Sequence, residues 1–161
     1  WGDLASLWAG EWTAGRTATL EIWGPSGARE DIGTKYAFEH FLKAYNWDLQ
    51  ARLANVNSKP GKIVVHEFDH NAESKIVYRE NGVTIRSWPA IHAGDGSVSI
   101  ALCWKGMKIV IGGDTMLNTW YIKYAKDADI AIHEAFMTPK EQQGGRYEAG
   151  TGRSSVYRAV I

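Results

Sequence analysis

The stretch between residues 62 and 112 constrains the fold most, because it repeats short apolar runs separated by turn residues. The runs occupy residues 63–68, 74–78, 83–88, 98–104 and 108–111. Asn81-Gly82 and Lys105-Gly106 each lie between two neighbouring runs and are typical of a tight hairpin turn. The pattern therefore predicts a predominantly antiparallel meander over residues 62–112 and excludes an all-helical bundle.

Helical patterns lie on both sides of this region. A helix is predicted over residues 29–52, with Ser26 as its cap and one apolar face packed against a sheet. The apolar residues of that face recur at three- and four-residue steps: Phe38, Phe41, Leu42, Tyr45 and Leu49. A second helix is predicted from a cap at Asn118 to residue 125, and a short buried strand at 129–132. With a further strand at 19–23, this order predicts a layered α/β domain.

Composition narrows the class of protein. The chain has 161 residues, enough for one domain, and 18 basic residues balance 18 acidic ones. Zero net charge argues against binding nucleic acid through the overall field of the protein. Its one cysteine, Cys103, lies in an apolar run and is interpreted as a small buried hydrophobe. No signal peptide or membrane span is visible, so a cytoplasmic location is expected, or a periplasmic one if a signal peptide preceded Trp1.

Tryptophan is concentrated at the front of the chain. Four of the eight tryptophans are Trp1, Trp8, Trp12 and Trp23. Large aromatic side chains mostly pack in cores or interfaces, so this cluster predicts a surface that is covered.

Three segments place polar groups directly after apolar strands. His92 follows the strand predicted at 83–88, Asp114 follows Gly112-Gly113 after the strand at 108–111, and His133 with Glu134 follows the strand at 129–132. Strand ends at one edge of a sheet can bring together side chains that are distant in sequence. Imidazoles and carboxylates bind Zn²⁺-like ions, and a carboxylate can bridge two of them. The three segments together indicate a metal hydrolase.

Each of these residues also has a structural interpretation. A single histidine after a strand is commonly a core residue with satisfied hydrogen bonds, and an aspartate after Gly-Gly is commonly a turn or helix cap. The stretch from His66 to His70 contains two histidines and two acidic residues, but in a strand the histidines and the acids face opposite sides. We interpret that stretch as a half-exposed strand that ends in a polar turn, and His40 as structural.

Four motifs in order resemble the metallo-β-lactamase superfamily, in particular its ribonuclease Z and arylsulfatase-like branches. They are Gly24-Pro25-Ser26-Gly27, His92, Gly113-Asp114-Thr115 and His133-Glu134-Ala135. The resemblance implies a partial αββα sandwich over residues 1–140, mixed with the antiparallel meander and followed by an irregular tail at 141–161. It also implies hydrolysis that depends on two divalent metal ions, with zinc as the expected metal.

The resemblance assigns a role to each matched residue. His92 would be a terminal ligand of one metal, and Asp114 would bridge both. His133 would lie beside the metals and assist proton transfer, and Glu134 would orient or support it.

The chain also departs from the family pattern. The signature His-x-His-x-Asp-His is absent, and no histidine follows His133. The chain is therefore expected to be a fragment, inactive by itself and holding metal weakly or not at all. The substrate of the parent hydrolase would be an ester, phosphodiester, sulfate ester or lactam, with a small-molecule ester favoured over nucleic acid. The alternative is a non-catalytic binding or oligomerisation module with a degenerate metal site. Either interpretation leaves an apolar sheet uncovered, so a homo-oligomer is expected.

Overall fold

A computed structural model describes residues 3–56, 62–116 and 118–134. The helices are α1 (Leu4–Thr13), α2 (Thr34–Ala44), α3 (Asn46–Asn55) and α4 (Thr119–Ala125), with a short 3₁₀ turn at Glu30–Ile32. The strands are β1 (Leu20–Pro25), β2 (Ile63–Phe68), β3 (Lys75–Glu80), β4 (Val83–Pro89), β5 (Val98–Trp104), β6 (Met107–Ile111) and β7 (Ile130–Ile132). The mixed α/β class predicted from the sequence is confirmed.

The strands form two sheets. A five-stranded sheet has the order β3-β4-β5-β6-β7, antiparallel through β6 and parallel between β6 and β7. A separate two-stranded sheet pairs β1 with β2 in parallel. The prediction of one antiparallel region was therefore wrong for its first strand. Because α2 and α3 carry the chain back before β2 begins, β2 runs alongside β1 and does not join the meander.

Two-residue turns close two of the three hairpins of the meander, as predicted. Asn81 and Gly82 have φ angles of 51° and 78°, and Lys105 and Gly106 have 47° and 84°. Left-handed backbone at both central positions is the geometry of a type I′ turn, whose twist matches that of the flanking strands.

The helix predicted over residues 29–52 is divided at two points. Gly33 has an extended backbone, and a Cβ atom there would lie 2.4 Å from the Ser26 carbonyl oxygen. Ser26 therefore packs against this glycine and does not cap the helix. The Glu67 carboxylate instead accepts a hydrogen bond of 2.7 Å from the Lys35 N–H in the first turn of α2. At Tyr45, between α2 and α3, the main-chain hydrogen bonds continue, so the axis bends without a loop.

Two of the four tryptophans in the N-terminal part of the chain are covered by the chain itself, whereas Trp23 is 39% exposed. Trp8 and Trp12 of α1 are buried, and the Trp8 indole meets the Phe41 ring of α2 edge to face. Phe38 is buried as predicted, whereas Tyr45 at the helix bend is 38% exposed. The two α1 tryptophans thus form internal core, while Trp1 lies outside the described residues.

A core lies between the five-stranded sheet and α4. It contains Trp88, Ala101, Val110 and Tyr121. The side chain of Asn118 caps α4 by accepting a hydrogen bond of 2.8 Å from the Tyr121 N–H, as predicted. The strand predicted as buried at 129–132 is instead the exposed strand β7, because among the described residues only β6 pairs with it.

The described part of the chain contains no helix that is long and apolar enough to cross a membrane. The tail predicted at 141–161 lies outside it.

Candidate functional site

The sheet brings His92 and Asp114 together. Strands β4, β6 and β7 run in the same direction, because β4 and β6 are both antiparallel to β5 and β7 is parallel to β6. Their carboxyl ends therefore lie at one edge. His92 follows the end of β4 by three residues and Asp114 follows the end of β6 by three. The His92 Nε2 atom lies 3.2 Å from Asp114 Oδ2, and the two side chains are 34% and 48% exposed.

Thr115 connects, through hydrogen bonds, the two loops that carry His92 and Asp114. Its side chain is buried, and its Oγ1 accepts hydrogen bonds from the Ile91 N–H at 2.8 Å and from Asn118 Nδ2 at 3.1 Å. The Met116 N–H donates to the Ile91 carbonyl at 2.8 Å. The residue next to His92 is thus bonded to the residue next to Asp114, which fixes the separation of the pair.

Asp95, which no sequence motif marked as a site residue, is the second partner of His92. Its Oδ2 lies 2.9 Å from His92 Nδ1. Gly94 and Gly96 have φ angles of 77° and 84°, so the chain turns tightly on both sides of the aspartate. An aspartate enclosed by two glycines and placed three residues after a histidine is the signal that could have identified it.

The carboxylates around His92 determine its charge. The hydrogen bond to Asp95 raises the pKa of His92 above its ordinary value, and the negative charges of Asp114 and Glu134 add to the rise against partial burial. Partial burial acts to raise the pKa of Asp95, but hydrogen bonds from Ser97 and His92 outweigh it, so that the Asp95 pKa is lowered. The acidic environment therefore favours a charged imidazolium when no metal competes for the ring.

His133 lies directly after β7, beside the turn that leads to Asp114. A Cβ atom on Gly112 would be 3.1 Å from the His133 ring, which packs edge to face on Tyr121 with centroids 4.8 Å apart. His133 Nδ1 lies 2.9 Å from the Glu134 carbonyl oxygen, as in a structural histidine. Its Nε2 is buried and has no hydrogen-bond partner among the described residues. Because Nδ1 faces a carbonyl oxygen, it carries the proton of the neutral ring and Nε2 is left as a buried acceptor.

The donor atoms of His92 and Asp114 suit a shared metal ion. Zinc bonds to imidazole nitrogen and carboxylate oxygen measure about 2.0–2.2 Å, so two ligands at tetrahedral angles are about 3.3–3.6 Å apart. The observed 3.2 Å is close to that separation. Within residues 3–56, 62–116 and 118–134, no group of three or more His, Cys, Asp or Glu side chains has metal-binding geometry. A catalytic zinc usually has at least three protein ligands, and His92 and Asp114 supply two of them.

The histidines of the stretch from His66 to His70 are engaged with the region of β1. The His66 ring stacks on Trp23 with centroids 3.9 Å apart. His70 Nδ1 lies 3.2 Å from Ser26 Oγ. These contacts agree with the structural interpretation of both residues.

The fold of the chain is similar to that of solved structures, although no sequence comparison finds a relative. No family model and no curated protein sequence matches the chain. Among solved structures, the short form of human tRNase Z superposes with a TM-score of 0.60 at 19% identity, over 98% of this chain and 60% of that one. The metallo-β-lactamase fold protein YhfI from Bacillus subtilis superposes with a TM-score of 0.60 at 15% identity, over 96% of this chain and 50% of that one. The chain has a metallo-β-lactamase fold.

This metallo-β-lactamase fold is represented in part. The chain spans 60% of the length of the human tRNase Z short form and 50% of the length of YhfI. In the described residues, the sheet of β1 and β2 has two strands beside a sheet of five, which agrees with the expectation that one sheet of the sandwich is largely missing.

Proposed function

We propose that this chain is part of a metal-dependent hydrolase and contributes His92, Asp114, His133 and Glu134 to its active site. The observation that carries the proposal is the 3.2 Å separation of His92 Nε2 and Asp114 Oδ2, two donor atoms brought together from strand ends 22 positions apart. The same separation is that of an ion pair, and the metal site is supported by the position of the pair at the edge of the sheet where His133 also follows a strand.

Each of the four side chains has a separate role in the proposed site. His92 would hold a metal ion through Nε2, with its Nδ1 bonded to Asp95, and Asp114 would hold the same ion through its carboxylate. When bound, the metal ions activate a water nucleophile and stabilise negative charge on the substrate. His133 exchanges a proton through its unpartnered Nε2, and Glu134 adds negative charge near His92.

Two observations bear differently on the substrate. Zero net charge favours a small-molecule ester over a polyanion. One of the two matched proteins, however, is a tRNase, and neither match supports a small-molecule substrate. The proposed reaction is therefore hydrolysis of an ester-type bond, with phosphodiesters, sulfate esters and lactams as the other classes to be tested.

Zinc binding and hydrolysis test the proposal together. Calorimetric zinc titration and chromogenic carboxylic ester, phosphodiester, sulfate ester and lactam substrates are applied to this chain and to the polypeptide extended upstream. We expect weak zinc binding and no turnover by this chain, and stoichiometric zinc and turnover by the extended one. Asp114→Asn should abolish turnover in the extended form, whereas Asp127→Asn, on an exposed turn, should not. Full turnover by Asp114→Asn would refute the proposal.

A non-catalytic binding or oligomerisation module is the second candidate. One specific observation favours it: several large apolar side chains of the five-stranded sheet are exposed on the same face. They are Trp104, Met107, Ile111, Ile130 and Ile132, at 37% to 51% exposure. An extended polypeptide that neither binds zinc nor hydrolyses any substrate class, yet associates through this face, would establish the module.

A further inference from the structure

The loop after β4 holds the His92 ring from its far side. His92 Nδ1 lies 2.9 Å from Asp95 Oδ2, and its Nε2 lies 3.2 Å from Asp114 Oδ2. An imidazole between two carboxylates donates from both nitrogens when charged and from only one when neutral. Which nitrogen keeps the proton decides whether a lone pair faces Asp114.

Asp95 is the more firmly held of the two carboxylates. Its Oδ1 accepts hydrogen bonds from Ser97 Oγ at 2.7 Å and from the Ser97 N–H at 3.1 Å, which leaves Oδ2 directed at the ring. The backbone is held as well, since the Ala28 N–H donates to the Asp95 carbonyl at 3.2 Å. A Cβ atom on Gly96 would come within 2.7 Å of Gly27, so the loop packs tightly on the turn after β1.

These contacts give the two nitrogens unequal partners. Asp95 is the nearer acceptor, and Ser97 and the packed glycines hold it in place. Asp114 is the more distant at 3.2 Å, while the two carboxylates are exposed to a similar degree, 43% for Asp95 and 48% for Asp114. The neutral ring therefore keeps its proton on Nδ1 and turns the Nε2 lone pair toward Asp114.

We propose that Asp95 is a positioning residue that fixes His92 in the Nδ1–H tautomer, so that Nε2 is free to bind a metal ion next to Asp114. The inference rests on the proposed function for its purpose, because a lone pair aimed at Asp114 serves only a ligand placed between them. Carboxylates that orient metal-binding histidines in this way typically change metal affinity by about 10–100-fold.

The tautomer can be measured without metal or activity. The metal-free chain is labelled with ¹⁵N-histidine, and the ring nitrogens are observed by NMR at a pH where His92 is neutral. The His92 signals are assigned from their loss in His92→Gln. In the unsubstituted chain we expect the chemical shift of a protonated nitrogen at Nδ1 and of a bare nitrogen at Nε2.

Substitution tests the role of Asp95 itself. Asp95→Ala should move the proton to Nε2, where Asp114 accepts it, while Asp127→Asn should leave the tautomer unchanged. Ser97→Ala keeps the carboxylate but removes one of its donors, and should give a mixture of the two tautomers. A proton on Nε2 in the unsubstituted chain overturns the inference even if Asp95→Ala fails to fold. So does a folded Asp95→Ala with an unchanged tautomer.

A zinc titration of the labelled polypeptide extended upstream separates this inference from the proposed function. A shift of the His92 Nε2 resonance on adding zinc supports metal binding by the ring. An Nδ1–H tautomer with no response of Nε2 to zinc in the extended polypeptide would leave the role of Asp95 established and would remove His92 from the proposed metal site.

Discussion

Replacing Thr115 by valine should destabilise the chain more than replacing it by serine, although valine matches threonine in volume. The hydroxyl of this buried side chain accepts from the Ile91 N–H and from Asn118 Nδ2. Valine removes both acceptors. A buried donor left without a partner costs about 1–3 kcal/mol, and a lost hydrogen bond between otherwise paired groups costs about 0.5–1.5 kcal/mol.

The magnitudes differ enough to be distinguished. The Ile91 N–H is only partly buried and Asn118 Nδ2 keeps the Met116 carbonyl as an acceptor, so we expect about 2–3 kcal/mol for Thr115→Val. Thr115→Ser keeps the hydroxyl and loses one buried methyl group, which is worth about 1 kcal/mol.

Equilibrium urea unfolding measures both variants. With a urea dependence of about 2 kcal/mol per molar, the midpoint of Thr115→Val should fall by about 1 M, roughly twice the shift of Thr115→Ser. Thr119→Val, at the exposed first position of α4, is the control and should change stability by less than about 0.5 kcal/mol. If Thr115→Val proved as stable as Thr115→Ser, the hydroxyl would not hold the loops of His92 and Asp114 together.

The other predictions concern backbone packing, pH and assembly. Gly10→Ala places a methyl group in open space on α1 and should stabilise the chain by about 0.5–1 kcal/mol, whereas Gly33→Ala clashes with Ser26 and should destabilise it by about 1–3 kcal/mol. Urea unfolding that ranks the two variants in the opposite order would contradict the packing described. Because the pKa of His92 is raised in the folded chain, its contribution to stability should be complete below the unfolded pKa of about 6.5 and should be lost as the pH rises through the folded pKa. In urea midpoints recorded from about pH 5.5 to 8.5, His92→Gln should flatten that decline. The exposed apolar sheet face should give a dimer or larger assembly in light scattering, and a stable monomer at high concentration would count against it.

Local chemistry made part of the fold predictable. The two hairpin turns and the Asn118 cap depend on residues adjacent in sequence, and each lies where the sequence predicts it. The break at Gly33 was missed because its cause is tertiary. The Ser26 carbonyl and the Glu67 carboxylate occupy the space around that residue, and no periodicity in the helix itself reports their presence.

The candidate site was predictable to a similar extent. Placing His92 and Asp114 at strand ends was enough to predict that they meet, because strands that run in the same direction end at one edge. The hydrogen bond from Ile91 to Thr115 joins residues 24 positions apart, and its geometry depends on the register of three strands. The exposure of β7 was missed because an apolar tripeptide has the same composition at an edge as at the centre of a sheet.

The pairing of β1 with β2 has a consequence for the order of folding. The partners in this sheet are 43 positions apart, as in Leu20 with Ile63, whereas two of the three hairpins of the meander close over two residues and the third, between β4 and β5, closes over residues 90–97. Hairpins form in about 1–10 μs, while distant pairing must first overcome the entropy of closing a long loop. Substitutions at Gly82 should therefore slow refolding, and substitutions at Ile22 of β1 should mainly accelerate unfolding, in stopped-flow measurements; the reverse pattern would show that the parallel pair nucleates the chain. On this order, the strands that carry His92 and Asp114 are assembled early, before the helical crossover docks beside them.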